Sequence, residues 1–107
     1  MMITDADAEK ALHYLKDTDL EAAELRSQVA YLDEMRKIVR AELFLEYTGT
    51  IPEREAQALK HPKYRDSVLA LQVGTANYET LRNRRFTASQ QIEIWRSENA
   101  NRRSGNI

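Results

Sequence analysis

Three glycines and two prolines are all that interrupt the 107 residues of this chain. Ala, Leu, Glu, Arg, Gln and Lys dominate the remainder, and these residues lose little on entering a helix, so the backbone has reason to leave the helix only at a few points. No stretch shows the strict apolar-polar alternation of a half-buried strand. The expectation is an all-α fold in a single helical domain over residues 1–107, a length that suits one hydrophobic core.

Cap signals divide the chain into four helices. Thr4 opens a short one over about residues 5–16, with Asp5, Asp7 and Glu9 near its N-terminus, where the helix dipole favours carboxylates. Thr18-Asp19-Leu20-Glu21 has the spacing of a capping box, so a long second helix is expected over about 19–48. Along it Leu25, Val29, Leu32, Met35, Val39 and Leu43 recur at steps of three and four, and Tyr31, Ile38 and Leu45 widen the stripe until it implies two packing partners. Gly49 is the natural C-cap, Thr50 to Glu53 open a short helix over about 52–59, and Pro62 starts a long one over about 63–100. The tail from Arg102 to Ile107 is expected to fray.

The last helix carries Leu71, Gly74, Tyr78, Leu81, Arg85, Ala88, Ile92 and Trp95 in a three-four rhythm, with a second flank of Val68, Leu69, Val73 and Ala76. At 1.5 Å per residue such a helix is about 55 Å long. The sequence therefore predicts an elongated helical hairpin with a coiled-coil-like C-terminal helix. Leu71, Gly74, Tyr78, Leu81, Ala88, Ile92 and Trp95 are the expected interface of a self-assembling homo-oligomer. Gly74 on the stripe points to close approach of a second helix, with a slight break in the helix as the alternative.

Charge and composition narrow the chemistry. Sixteen Lys and Arg against 17 Asp and Glu leave a formal charge of -1, but residues 1–35 hold nine acids and three bases while residues 81–107 hold two acids and six bases. The absence of Cys and the presence of only His13 and His61 argue against disulfides, thiolate metal sites and nucleophilic catalysis, so no enzyme activity, metal or cofactor is expected. No run reaches the 18 to 20 apolar residues of a membrane span and no leader pattern opens the chain, which predicts a cytoplasmic protein.

Two basic groups are candidates for binding a phosphate backbone. Arg36, Lys37 and Arg40 cluster on the second helix, where Arg36 and Arg40 share a face, although nearby carboxylates also fit a solvated face of ion pairs. Arg82, Arg84 and Arg85 stand in the last helix among Asn, Gln and aromatic residues, a mixture suited to single strands because guanidinium groups take phosphates and π-faces take unstacked bases. Arg85 falls on the apolar stripe, so either an acid from another helix meets it or it lines a solvent channel.

The order of parts resembles the UvsY-type recombination mediators of T-even-like bacteriophages. The resemblance is carried by a long charged helix ending in Phe44-Leu45-Glu46-Tyr47-Thr48-Gly49, a polar connector, an opening at Tyr64-Arg65, and a long final helix with an aromatic position near Tyr78, over roughly residues 30–100. It implies a ring-forming protein of the bacterial host cytoplasm that binds single-stranded DNA, acts on DNA coated with single-strand-binding protein and helps a RecA-like recombinase load. Basic residues that the family places just ahead of the aromatic turn are Ala41 and Leu43 here, and the basic character moves about one turn upstream to Arg36, Lys37 and Arg40. In the family the C-terminal helix drives assembly. A second reading is a helical protein-protein adaptor or assembly factor that binds no nucleic acid, its mark being an apolar groove for a partner and Arg36 and Arg40 paired with acids.

Overall fold

A computed structural model describes residues 2–105 and contains three helices among them: α1 (Asp5–Glu46), α2 (Ile51–Lys60) and α3 (Pro62–Gly105). The described residues are all-α, without a strand. Among the described residues no helix is long and apolar enough to cross a membrane.

The main correction to the sequence reading lies at Thr18. Residues 5–16 and 19–48, expected as two helices, form the single 42-residue α1, which ends at Glu46. Thr18 does not cap a new helix; its hydroxyl donates to the Tyr14 carbonyl at 2.7 Å, one turn back within the same helix. A capping box needs free amides at a helix start, and nothing around Thr18 unwinds the backbone to free them. At the other end α3 runs beyond Ala100 to Gly105, so the expected fraying of Arg102 to Gly105 is not seen, and Asn106 and Ile107 lie outside the described residues.

The chain divides into two compact units: Glu24–Tyr78, here the turn unit, and Met1–Ala23 with Glu79–Ile107, the terminal unit. In the turn unit α1 ends without a cation of its own in the last turn. Arg54 of α2 supplies one, donating from Nε to the Phe44 carbonyl at 3.1 Å while its guanidinium lies 4.1 Å from the centre of the Phe44 ring. Gly49 takes a φ of 121°, a region glycine enters without a steric penalty. Thr50 and Glu53 then form a reciprocal capping box at the start of α2, with Pro52 in its first turn.

His61 serves two helices at once. Its N–H donates to Ala58 at the end of α2, its carbonyl accepts from the Tyr64 and Arg65 amides, and its Nδ1 accepts from Lys63 N–H at 3.0 Å to open α3. The His61 backbone is extended, as the following Pro62 requires. Leu43 and Ala58 are the buried apolar residues of this unit. Gly74 packs so tightly that a Cβ there would lie 2.8 Å from Leu32 Cδ1, the close helix approach expected at this glycine.

In the terminal unit the sequence numbers of contacting residues rise along α1 as they fall along α3, the mark of antiparallel helices. Ile3 N–H donates to Glu98 Oε2 at 3.0 Å, Trp95 Nε1–H to Asp5 Oδ1 at 2.8 Å, and Arg85 reaches Leu15, Thr18 and Asp19. Thr4 caps α1 as expected, accepting from Asp7 N–H at 3.1 Å while its own N–H donates to the Asp7 carboxylate at 3.0 Å. The buried set is Ile3, Ala8, Ala11, Leu81 and Ala88, a seam of mostly small side chains.

Candidate nucleic-acid interface

The six nominated cations fall in different units and meet different fates. In the turn unit Arg36 is half-buried: its Nη2 donates to Asp33 Oδ1 at 2.9 Å and its Nη1 to the Tyr64 hydroxyl at 3.3 Å. The bond to Arg36, helped by Lys37, holds the Asp33 carboxyl below its ordinary pKa, and the bonds to Asp33 and then Tyr64 raise that of Arg36. Lys37 lies 3.3 Å from Glu34 and 3.7 Å from Asp33, and Arg40 reaches Glu55 of α2 at 3.3 Å. All three members of the cluster are therefore matched with carboxylates, two through i,i+3 or i,i+4 spacing on α1 and one through α2.

In the terminal unit Arg82 pairs with Glu79 at 3.4 Å. Arg85 resolves the question that the apolar stripe raised, because an acid from α1 does meet it. Its Nη1 donates to the Leu15 carbonyl and the Thr18 hydroxyl, each at 2.7 Å, and its Nη2 donates to Asp19 at 2.6 Å. This guanidinium is occupied in tying α3 to α1 and does not present a phosphate-binding fork. Arg84, one residue earlier, has no hydrogen bond or ion pair among the described residues and stands exposed.

Arg84 has company that the sequence did not reveal. It lines one side of a shallow groove, with Thr87, Ala88 and Gln91 beside it on α3 and Lys10, Ala11 and Tyr14 opposite on α1. Lys10 is exposed and makes no ion pair, though its charge adds to the pull that Thr4 exerts in keeping the Asp7 carboxyl low. Two cations, a phenol and an amide over a floor of two alanines offer donors for phosphate and a ring for a base. Lys10 escapes a reading of the sequence because it is one of only three bases among nine acids in the first third of the chain; only the antiparallel register brings it beside Arg84.

The seven residues expected at an oligomer interface face inward to a large extent. Gly74, Leu81 and Ala88 are buried within the single chain, and Leu71, Tyr78, Ile92 and Trp95 are half-buried. Gly74 meets Leu32 of α1 and Trp95 bonds to Asp5 of α1, so this stripe closes the chain's own helix pairs. The large apolar residues left exposed belong to other strips, among them Tyr31, Ile38 and Leu45 on α1 and Val68, Leu69, Val73 and Phe86 on α3.

No protein-family model matches the chain, and no curated protein or solved structure is significantly similar to it.

Proposed function

We propose that this chain is a recombination mediator of the UvsY type, a self-associating helical protein of the bacterial host cytoplasm. In this reading it binds single-stranded DNA and helps a RecA-like recombinase displace single-strand-binding protein. The observation that carries the nucleic-acid half is the groove of the terminal unit, where Arg84 and Lys10 stand without ion pairs beside Tyr14 and Gln91. The exposed pairs of Lys37 and Arg40 add to it, because an exposed ion pair is worth about 0 to 1 kcal/mol and exchanging its carboxylate for a phosphate costs little. A modest patch repeated by self-association becomes an avid one on a strand that several copies track. The resemblance in layout supports the same reading, since the long α1 ends within the Phe44–Gly49 segment, at Glu46, and Tyr64 stands in the first turn of the long α3.

The test is titration of a labelled oligo-dT strand at about 50 and about 200 mM salt, a range over which phosphate-driven binding weakens steeply. Lys10→Gln with Arg84→Gln is expected to reduce affinity at least tenfold and to lower the salt slope by about one for each phosphate that is no longer neutralised. Arg36→Ala with Arg40→Ala is expected to have the smaller effect. A folded oligomer that ignores oligo-dT at the lower salt overturns the reading.

A second reading, the protein-protein adaptor, is favoured by the acid partners of Arg36, Lys37 and Arg40 together with the exposed row Tyr31, Ile38 and Leu45. Under that reading the arginine cluster is a neutral helix face and the apolar row is the working surface.

A further inference from the structure

Tyr31, Ile38 and Leu45 are spaced seven residues apart, so on a helix they fall along one line with a drift of only about 20° per step. Seven-residue spacing is what a neighbouring helix reads as a continuous seam. Yet these side chains are 63%, 45% and 74% exposed. Leu32, Leu43 and Gly74 form or approach the packing between α1 and α3 on a different strip, so the row is left over after the turn unit has closed its own core.

Beside the row runs a groove. Gln28 and Leu32 of α1 form one wall and Asp66, Leu69, Val73 and Gly74 of α3 the other, with Leu69 and Val73 more than half exposed at its lip. Tyr31 stands three residues on from Gln28, which places it on the adjoining strip of the same helix. One face of the turn unit therefore carries an apolar ridge and an apolar groove side by side.

We propose that this face receives a second copy of the chain, the ridge of each copy lying in the groove of the other across a two-fold axis. A ridge and a groove on one patch make it self-complementary, the condition an isologous interface imposes. Charge allows the pairing: the turn unit holds eight acids and eight bases, so two copies meet without net repulsion, and Lys63, Glu42 and Glu46 near the face offer both signs at its margin. Five large apolar side chains on this one face, Tyr31, Ile38, Leu45, Leu69 and Val73, are each 45 to 74% exposed, which is apolar area available for a partner helix to cover. The inference rests on the self-association half of the function proposed above and is independent of DNA binding.

Size-exclusion chromatography with light scattering tests it on the full chain. Wild type is expected to elute as a dimer or a multiple of one, and Ile38→Glu with Leu69→Glu as a monomer of unchanged helicity, both positions being solvent-facing. Phe86→Glu, in the terminal unit, is the control and is expected to keep the wild-type mass. Because the chain has no Cys, a mixture of Ile38→Cys and Leu69→Cys chains supplies a second readout: oxidation should link the ridge of one copy to the groove of another, whereas Phe86→Cys mixed with either should link few. A monomeric wild type, an Ile38→Glu/Leu69→Glu oligomer, or an oligomer that Phe86→Glu alone dissolves would overturn the inference. A wild-type monomer that still binds oligo-dT overturns it and leaves the DNA reading standing; an oligomer lost with Ile38 and Leu69 that ignores oligo-dT supports it and removes that reading.

Discussion

The terminal unit and the turn unit both pack α1 against α3, but they are closed by different means. Alanines form most of the terminal seam, and a methyl group buries little area, so packing alone discriminates weakly between one register and the next. Register there is written in directed bonds: Arg85 to Leu15, Thr18 and Asp19, Trp95 to Asp5, and the Ile3 amide to Glu98. The turn unit relies more on shape, with Leu43 of α1 buried, Ala58 of α2 fully buried, and Leu32 laid over Gly74. The fit of Leu32 over Gly74 adds to the bonds of Arg36, Arg40 and Arg54 in setting the register there, and a strip of apolar surface is left uncovered. The contrast teaches that a helix pair can be specified by polar locks at low apolar cost, or by polar locks joined to interdigitation with apolar surface left over.

Removing the central lock should have the largest effect. Arg85→Ala deletes three hydrogen bonds from a mostly buried guanidinium and leaves the Leu15 carbonyl and Thr18 hydroxyl without their partner; a loss of about 2 to 3 kcal/mol is expected in thermal or urea melts. A value near zero would mean that the alanine seam holds the terminal unit by itself. Overpacking the turn unit comes next. Gly74→Val places branched carbons where even a Cβ meets Leu32 Cδ1 at 2.8 Å, and about 1 to 2 kcal/mol should be lost despite the better helix propensity of valine. If Leu32→Ala restores stability to Gly74→Val, fit at this contact sets the register.

Trp95→Phe keeps a ring on the seam and removes the bond to Asp5, so a cost of about 1 kcal/mol is expected. The smallest effect is a pH dependence with one carboxylate in each unit. Thr4, through its amide and then its hydroxyl, holds Asp7 below its ordinary pKa; Arg36 does the same for Asp33. A depressed folded pKa contributes stability that is present above the unfolded value of about 3.9 and is lost as pH falls through the folded value. Asp7→Asn and Asp33→Asn should each flatten the acid limb of Tm against pH, and an unchanged limb in either variant removes that residue from the account.

Much of this arrangement is legible where the signal is local. Gly49, Thr50, Pro52 and Pro62 act within a few bonds of their own backbone, and α2 and the start of α3 lie within a residue or two of their expected places. The pairing of Asp33 and Glu34 with Arg36 and Lys37 follows from helix spacing alone. What misleads is a local signal overridden at long range. Thr18 and Glu21 have the spacing of a cap, but the Thr18 hydroxyl turns back to Tyr14 and accepts from Arg85, a residue 67 positions away. Lys10 beside Arg84 and Arg40 beside Glu55 are likewise products of register, which no window of sequence contains. The apolar rhythm of α3 does mark a packing stripe, but rhythm does not say whether the neighbour is another chain or the same one.

The turn at Gly49 has a kinetic consequence. Thr50 and Glu53 bond across three residues, Arg54 and Phe44 across ten, Arg40 and Glu55 across 15, Arg36 and Tyr64 across 28, Arg85 and Thr18 across 67, Trp95 and Asp5 across 90, Ile3 and Glu98 across 95. Closing a loop costs more entropy the longer it is, and each bond in this series shortens the loop that the next must close. Folding can therefore proceed as a zipper whose first tooth is the turn itself. A side chain at position 49 would have to hold a φ of 121° and displace the Glu53 carboxylate that caps α2, straining the turn and slowing the nucleating step.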